Sequence, residues 1–362
     1  MQPIRQRTAT LFLVLLCLCM TGCGTIRFYS QAIRGQAEIL SNARPVAEVM
    51  RDEKVSASVK RKLAVVQDAR RFSIARLGLP GDRQYDRYTD LHRSHVSWVV
   101  FAAPEFSMKA KTWWYPLLGR MEYRGYFAKS DAENEAARLK ARGLEVFVGE
   151  VEAYSTLGWF RDPIINTFLH RPDAELAELI FHELTHVKLF LAGDTDFNEA
   201  FATANAEDAV RRWLSAKGDL RGLAGYEASL AKDREVIRLL LDTRQKLKRL
   251  YADQSRDPEA MRRGKESIFK AMREKYALWR GDSRYDRTFA KPWNNARLNS
   301  VATYFDLVPA FEHLRKREHG DLKSFHAAVG KMRHVTKDER RMRLRGEAGT
   351  TAANSRMNST PR

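Results

Sequence analysis

His182-Glu183-Leu184-Thr185-His186 lies inside an amphipathic stretch, and Asn198-Glu199-Ala200 follows it closely. Two histidines at i and i+4 share one face of a helix and can hold one metal ion. From Asp173 the chain reads DAELAELIFHELTHVKLFLAG, with Leu176, Leu179, Ile180, Leu184, Val187 and Leu191 at helical spacing. Asp173, just after Pro172, is a candidate N-cap, and Gly193 a candidate stop. Asp194 to Asp196 then turns the chain, and a second helix is expected from about Phe197 to Trp213. Glu199 falls in its first turn, so a helical hairpin can carry its carboxylate back to the histidine face. His182, His186 and Glu199 would leave a metal one open position, which describes a catalytic zinc rather than a closed structural one. Glu183, between the histidines, is placed to act as general base on a water.

The same residues carry a resemblance. HELTH followed by NEA resembles the gluzincin metallopeptidases, the thermolysin-like and neutral aminopeptidase families, in which the later Glu is the third zinc ligand. Two features depart from that pattern. The gap from His186 to Glu199 is shorter, which implies a tight turn. Thr203 stands where thermolysin-like enzymes place an Asp that orients a zinc histidine. A longer resemblance is to the family of predicted bacterial zinc aminopeptidases. It runs through GYFAKSDAENEAARLKARG, VEAYSTLGWFRDPI, the HELTH helix, DTDFNEAFAT, NNARL and ATYFDLVPAF, most of residues 97–330.

That resemblance implies a gluzincin-like α+β fold, predominantly helical, with a small sheet region followed by a helical half. It implies one Zn2+ ion, peptide substrates and release of N-terminal residues. Related aminopeptidases use a tyrosine downstream of the zinc ligands to stabilise the oxyanion; Tyr304 fits by chain order, and Tyr154 is the rival. In gluzincins the sheet edge beside the zinc helix holds the substrate backbone, which points to Tyr154, Ser155 and Gly158. Asn294 and Asn295 can bind substrate polar groups or start a helix. His170 is a candidate partner for a zinc histidine. A free ammonium needs carboxylates near the zinc, and Glu150, Glu152 and Glu207 are the candidates. Two alternatives stand beside this reading: a zinc endopeptidase with the same site, and a noncatalytic envelope lipoprotein.

Arg5 and Arg7 precede an apolar run, Leu11 to Leu18, too short to span a bilayer. Met20-Thr21-Gly22-Cys23 resembles a bacterial lipobox, so residues 1–22 read as a signal peptide and Cys23 as the lipidation site. All 3 cysteines fall in this segment, which leaves the rest of the chain no disulfide. Gly24 in place of Asp suggests, by analogy with sorting, the periplasmic face of the outer membrane. The formal charge of +18 is dispersed. Export and the lack of a recognisable module argue against a nucleic-acid partner, and attraction to anionic lipid headgroups is the expected meaning.

The remaining chain is expected to form helices at 28–50, broken near Pro45, and at 56–77, within an N-terminal helical region spanning 23–96. A catalytic region follows over 97–334. Its sheet part, 97–160, holds a buried strand at Ser97 to Ala102, further β structure near Trp113 to Tyr115 and Tyr123 to Phe127, a helix from Ser130 and a strand at Leu144 to Val151. Then come the zinc helices (173–216), a helical hairpin (226–280) and C-terminal helices at 293–316 and 321–333. Residues 335–362 are basic and without apolar periodicity, and are expected to be disordered.

Overall fold

Two apolar runs decide where the sheet and the helices meet. The computed structural model describes residues 23–253, 255–279 and 281–346, so the signal-peptide and lipobox residues before Cys23 and the end of the basic tail lie outside them. The chain is predominantly helical with small sheets, as an α+β reading requires. It opens with helix α1 (Cys23–Ser41), strand β1 (Arg44–Pro45), short helix α2 (Val46–Arg51) and helix α3 (Ala57–Leu77). Ser56 caps α3 by accepting from Val59 N at 3.3 Å, and Gly78 ends it at φ +61°.

Strand β2 (Arg87–Thr89) pairs antiparallel with β1 and parallel with a late two-residue strand, β8 (Ile164–Ile165). A second small sheet, in the order β1-β2-β8, therefore lies outside residues 97–160, with β2 of the N-terminal segment at its centre. The main sheet has β3 (Ser97–Pro104) at its centre, between β6 (Arg124–Tyr126) and β7 (Leu144–Val151), both antiparallel to it. A hairpin, β4 (Trp113–Tyr115) and β5 (Gly119–Met121), stands before β6. The apolar run of β3 is buried on both faces. Val100 and Ala102 meet Ala132, Ala136 and Leu139 of helix α4 (Lys129–Lys140), whereas Phe101 and Ala103 meet Ala296 on the opposite side.

Helices α5 (Asp173–Lys188) and α6 (Thr195–Ala216) form the central pair. Leu176, Ile180, Phe181 and Leu184 of α5 share one core with Leu63, Val66 and Ala69 of α3 and with Val210 and Trp213 of α6. The N-terminal helices are thus built onto the back of the HELTH helix. A long hairpin, α7 (Leu220–Ala252) and α8 (Pro258–Trp279), folds back on the sheet through Arg262–Glu105 and Lys265–Glu145 ion pairs at 2.7 and 2.5 Å. Short α9 (Asp286–Ala290) leads to α10 (Asn295–Phe305), α11 (Val308–Arg317), α12 (Leu322–Lys331) and α13 (Lys337–Arg345).

Three sequence expectations need correction. The helix expected at 293–316 is two helices, because Pro309 cannot continue the hydrogen-bond ladder of α10 and instead occupies the first turn of α11. Gly193 does not stop α5, which ends at Lys188; at φ +79° it turns the chain so that its N–H donates to Leu118 O at 2.8 Å. The tail is not disordered throughout: α13 sinks Leu344 into a core with Phe197, Phe201 and Phe311. Arg340 and Arg341 of that helix each reach Asp194 at 2.7 Å, and Asp194 is fully buried. The tail's charge pattern hides this because the partner lies far off in sequence.

Candidate metal centre

Helix α5 begins one residue after Pro172, with Asp173 in its first turn rather than as its cap. The helix dipole favours that carboxylate, and Lys62 and Arg61 hold it at 2.6 and 3.3 Å. The buried face fixes the helix, so His182 and His186 are left facing α6. The short link to Glu199 is made rigid by Asn198. Its side chain donates to Leu191 O and accepts from Leu191 N, both at 2.8 Å, which ties residues 191–198 into a tight turn.

The turn brings three ligand atoms together. His182 Nε2 and His186 Nε2 are 3.1 Å apart, and Glu199 Oε2 lies 3.3 Å from the first and 3.4 Å from the second. Among the described residues these three form the one group of histidine, cysteine or acidic side chains able to hold a metal ion. His186 and Glu199 are buried and His182 is half-buried, so the group opens on the His182 side. Burial pushes the Glu199 carboxyl up, but His186 and His182 outweigh it and bring the group down to about 2. Burial alone would lower His186; Glu199 and Glu183 raise it instead.

Neighbouring groups hold the helix pair in place. Thr185, buried beneath the motif, donates to Phe181 O and accepts from Asn205 Nδ2, both at 2.7 Å. Asn205 Oδ1 in turn lies 2.9 Å from His326 Nε2. Burial lowers His326 to about 4, so its neutral ring donates there. Thr203 offers no carboxylate, and His186 Nδ1 is buried without a hydrogen-bond partner among the described residues.

Glu183 stands among three tyrosines. The negative charge of Glu199, then burial, drives the Tyr304 hydroxyl well above its ordinary value, and Glu183 adds to it. Tyr123 is raised by burial first, then by Glu199 and Glu183. Tyr85 is raised by burial, Glu183 and Asp162. Its φ of +56° is a left-handed conformation that a bulky residue rarely adopts, held by Tyr85 N donating to Asp162 O at 2.8 Å. Burial pushes the Asp162 carboxyl to about 6, against donation from Thr156.

The segment expected to hold substrate is a loop that joins β7, which ends at Val151, to the elements leading into the HELTH helix. Ser155 and Thr156 wrap around Asp162, with Thr156 N and Oγ1 donating at 2.8 and 2.7 Å. Tyr154 packs edge-on against Phe127, ring centroids 5.1 Å apart. Gly158, at φ +84°, lies against the HELTH helix: a Cβ there would sit 2.9 Å from Val187 Cγ1. Close packing therefore explains this glycine.

Of the other candidates, Asn294 caps α10 by accepting from Arg297 N at 2.9 Å, and Asn295 bonds Tyr251 and the carbonyls of Pro104 and Glu105. Glu152 is paired with Arg171 at 2.8 Å, and exposed His170 lies 3.6 Å from it. Glu150 is half-exposed beside His95. Glu207 is taken by Arg234 at 2.7 Å. Sequence reasoning passed over Glu178, one turn before His182, although helical spacing puts it on the metal face; Tyr85, Tyr123 and Asp162 carry no local signal.

A family model described as "Putative aminopeptidase" matches residues 27–344. The chain belongs to that family. The match spans the sheet, the helix pair and α13, and it supports a peptidase-like function for the aminopeptidase-family chain. No curated protein and no solved structure matches it significantly.

Proposed function

We propose that this chain is a zinc-dependent metallopeptidase that removes N-terminal residues from peptides in the cell envelope. The convergence of His182, His186 and Glu199 carries the reading. Ligand atoms about 2.0–2.1 Å from a tetrahedral zinc lie about 3.3 Å from one another, and the observed separations of 3.1, 3.3 and 3.4 Å match that edge. Two imidazole nitrogens and one carboxylate favour zinc over a hard cation, and three protein ligands leave a position for substrate.

When bound, zinc supplies Lewis acidity, lowering the pKa of a water toward about 7 and polarising the scissile carbonyl. Glu183 accepts the proton of the attacking water and delivers it to the leaving amine as the C–N bond breaks. The Tyr304 hydroxyl, kept protonated by the Glu199 charge, retains a proton to donate, which suits a developing oxyanion. Tyr123, raised by burial and by the same two carboxylates, is a second candidate donor. In the envelope, the lipobox resemblance supports a tether at Cys23, and the basic surface an attraction to anionic headgroups.

The test is hydrolysis of a peptide with a free N-terminus and of its acetylated twin by the zinc-loaded chain. Stepwise loss of N-terminal residues from the first alone is expected, and Glu183→Gln should abolish it while zinc stays bound. Cleavage of both at internal bonds would replace the exopeptidase reading with an endopeptidase one. Absence of any hydrolysis would leave the chain a noncatalytic metal-binding protein.

A further inference from the structure

Helix α1 carries apolar side chains on two faces. The inner face is packed: Phe28 lies among Val100, Trp113 and Tyr126, Gln31 Oε1 accepts from Phe127 N at 2.8 Å, and Ile39 joins the core shared by α3 and α5. Gly35 keeps the helix close, since a Cβ there would overlap the Phe127 ring. The outer face is apolar as well. Ile26, Tyr29 and Ile33 are 60%, 39% and 69% exposed, and they recur with exposed Ala37 at helical spacing on the side away from Phe28. Arg27 and Arg34 border this stripe, and from Cys23 to Ala37 the helix holds no acidic residue. Arg27 pairs with Asp131 at 2.7 Å, whereas Arg34 is exposed and makes no salt bridge among the described residues. Single exposed apolar residues are ordinary, but a row of them along one helix marks an interaction surface.

We propose that this outer face of α1 lies in the headgroup region of a phospholipid bilayer, next to the lipid that Cys23 would carry. This deepens the tether reading above and rests on it. Cys23 is the first residue of α1, so a lipid there enters the bilayer one turn from Ile26. The stripe from Ile26 to Ala37 runs about 16 Å along the surface, at about 1.5 Å per residue. An interfacial helix sinks its apolar face about 5–10 Å into the boundary between headgroups and acyl chains, which suits isoleucines flanked by arginines whose stems reach back to the phosphates. No helix among the described residues is long and apolar enough to cross a membrane, so α1 lies along it. A second copy of the chain fits the stripe less well, because a stable dimer buries about 800 Å² per partner and one row of four side chains does not supply it. With its inner face fixed to the main sheet, α1 holds the body at one angle to the membrane rather than on a swinging tether.

The test uses the full lipidated chain in vesicles of phosphatidylethanolamine and phosphatidylglycerol. Its cysteines all lie at or before Cys23, so in the processed chain a Cys placed at Ile33 takes a fluorescent label alone. That Ile33→Cys label should fall to about half its intensity or less with spin labels on the upper acyl chains. A Lys270→Cys label on α8, which packs with α10 across the sheet from α1, should keep its intensity. Ile26→Asn together with Ile33→Asn, both on the surface, should cut the quenching of an Ala37→Cys label by at least about twofold. An Ile33 label untouched by the quencher, in a chain that mass spectrometry shows to be acylated at Cys23, overturns the proposal and leaves the tether standing. A label shielded from lipid but self-quenching between copies also overturns it, and gives the face to a dimer. If Cys23 carries no lipid, the label goes into a chain with Cys17, Cys19 and Cys23 changed to Ser. Quenching there removes the tether and keeps the α1 surface; its absence removes both.

Discussion

Tyr304 and Tyr123 both lie within the field of Glu199 and Glu183, but different causes dominate. The Glu199 carboxylate is the leading influence on Tyr304, whereas burial leads for Tyr123. Tyr304→Phe should therefore lower kcat by about 10²–10³ with zinc content intact, the usual cost of an oxyanion donor. Tyr123→Phe should cost less than about tenfold. Steady-state kinetics on a free-N-terminus peptide decides, and the reverse ranking would move the oxyanion role to Tyr123. Glu178 gives a prediction that needs no substrate. Its folded-state pKa of about 8 stands above the ordinary 4.5. The stability tied to its protonated form is thus complete below 4.5 and lost as pH rises through 8. In metal-free protein, Glu178→Gln should leave stability at pH 4 nearly unchanged. At pH 9 it should raise it by about 1 kcal/mol or more, after allowance for partial exposure, or about 2–4 °C in Tm. Equal pH profiles for variant and parent would show that the carboxyl titrates normally.

At the scale of elements, the helix pair was readable because each of its signals is local. Apolar spacing set α5, histidine spacing set its functional face, and the short gap demanded a turn. Asn198 explains how that turn is closed, and its role was hidden because its partner is backbone. The packing of the loop after β7 was illegible for a related reason. Aromatics and a glycine beside a strand resemble a substrate edge, yet the partners of Ser155, Thr156 and Gly158 are Asp162 and Val187. Gly158→Ala should be destabilising by about 1–3 kcal/mol, from its φ of +84° and the 2.9 Å approach to Val187 Cγ1. Val187→Ala in the same chain should recover the steric share and leave the backbone share. Denaturant melts of the single and double variants measure both. A neutral Gly158→Ala would mean the loop moves freely off the helix.

Over the whole molecule, long-range charge was the least legible feature. Nothing in the basic run near Arg340 shows that it will close on Asp194, because its spacing is irregular and its partner precedes α6. Yet that contact bears on the proposed metal site. Asp194 sits at the end of the turn that Asn198 closes: Asp194 N donates to Leu191 O at 3.2 Å, and Asn198 N donates to Asp194 O at 3.1 Å. Arg340 at 2.7 Å, Arg341 at 2.7 Å and Lys337 at 3.4 Å supply all its countercharge among the described residues. Removing Arg340 leaves a buried carboxylate underpaired, which costs about 3–5 kcal/mol when a buried pair is broken. Arg340→Met should therefore lower stability by about that amount, and Asp194→Asn in the same chain should restore much of it, since the unpaired charge goes with it. Zinc affinity should fall in the first variant and recover in the second, because Glu199 rides on the same turn. A loss of stability with zinc affinity untouched would show that α13 braces only the outer core of Phe197, Phe201 and Phe311.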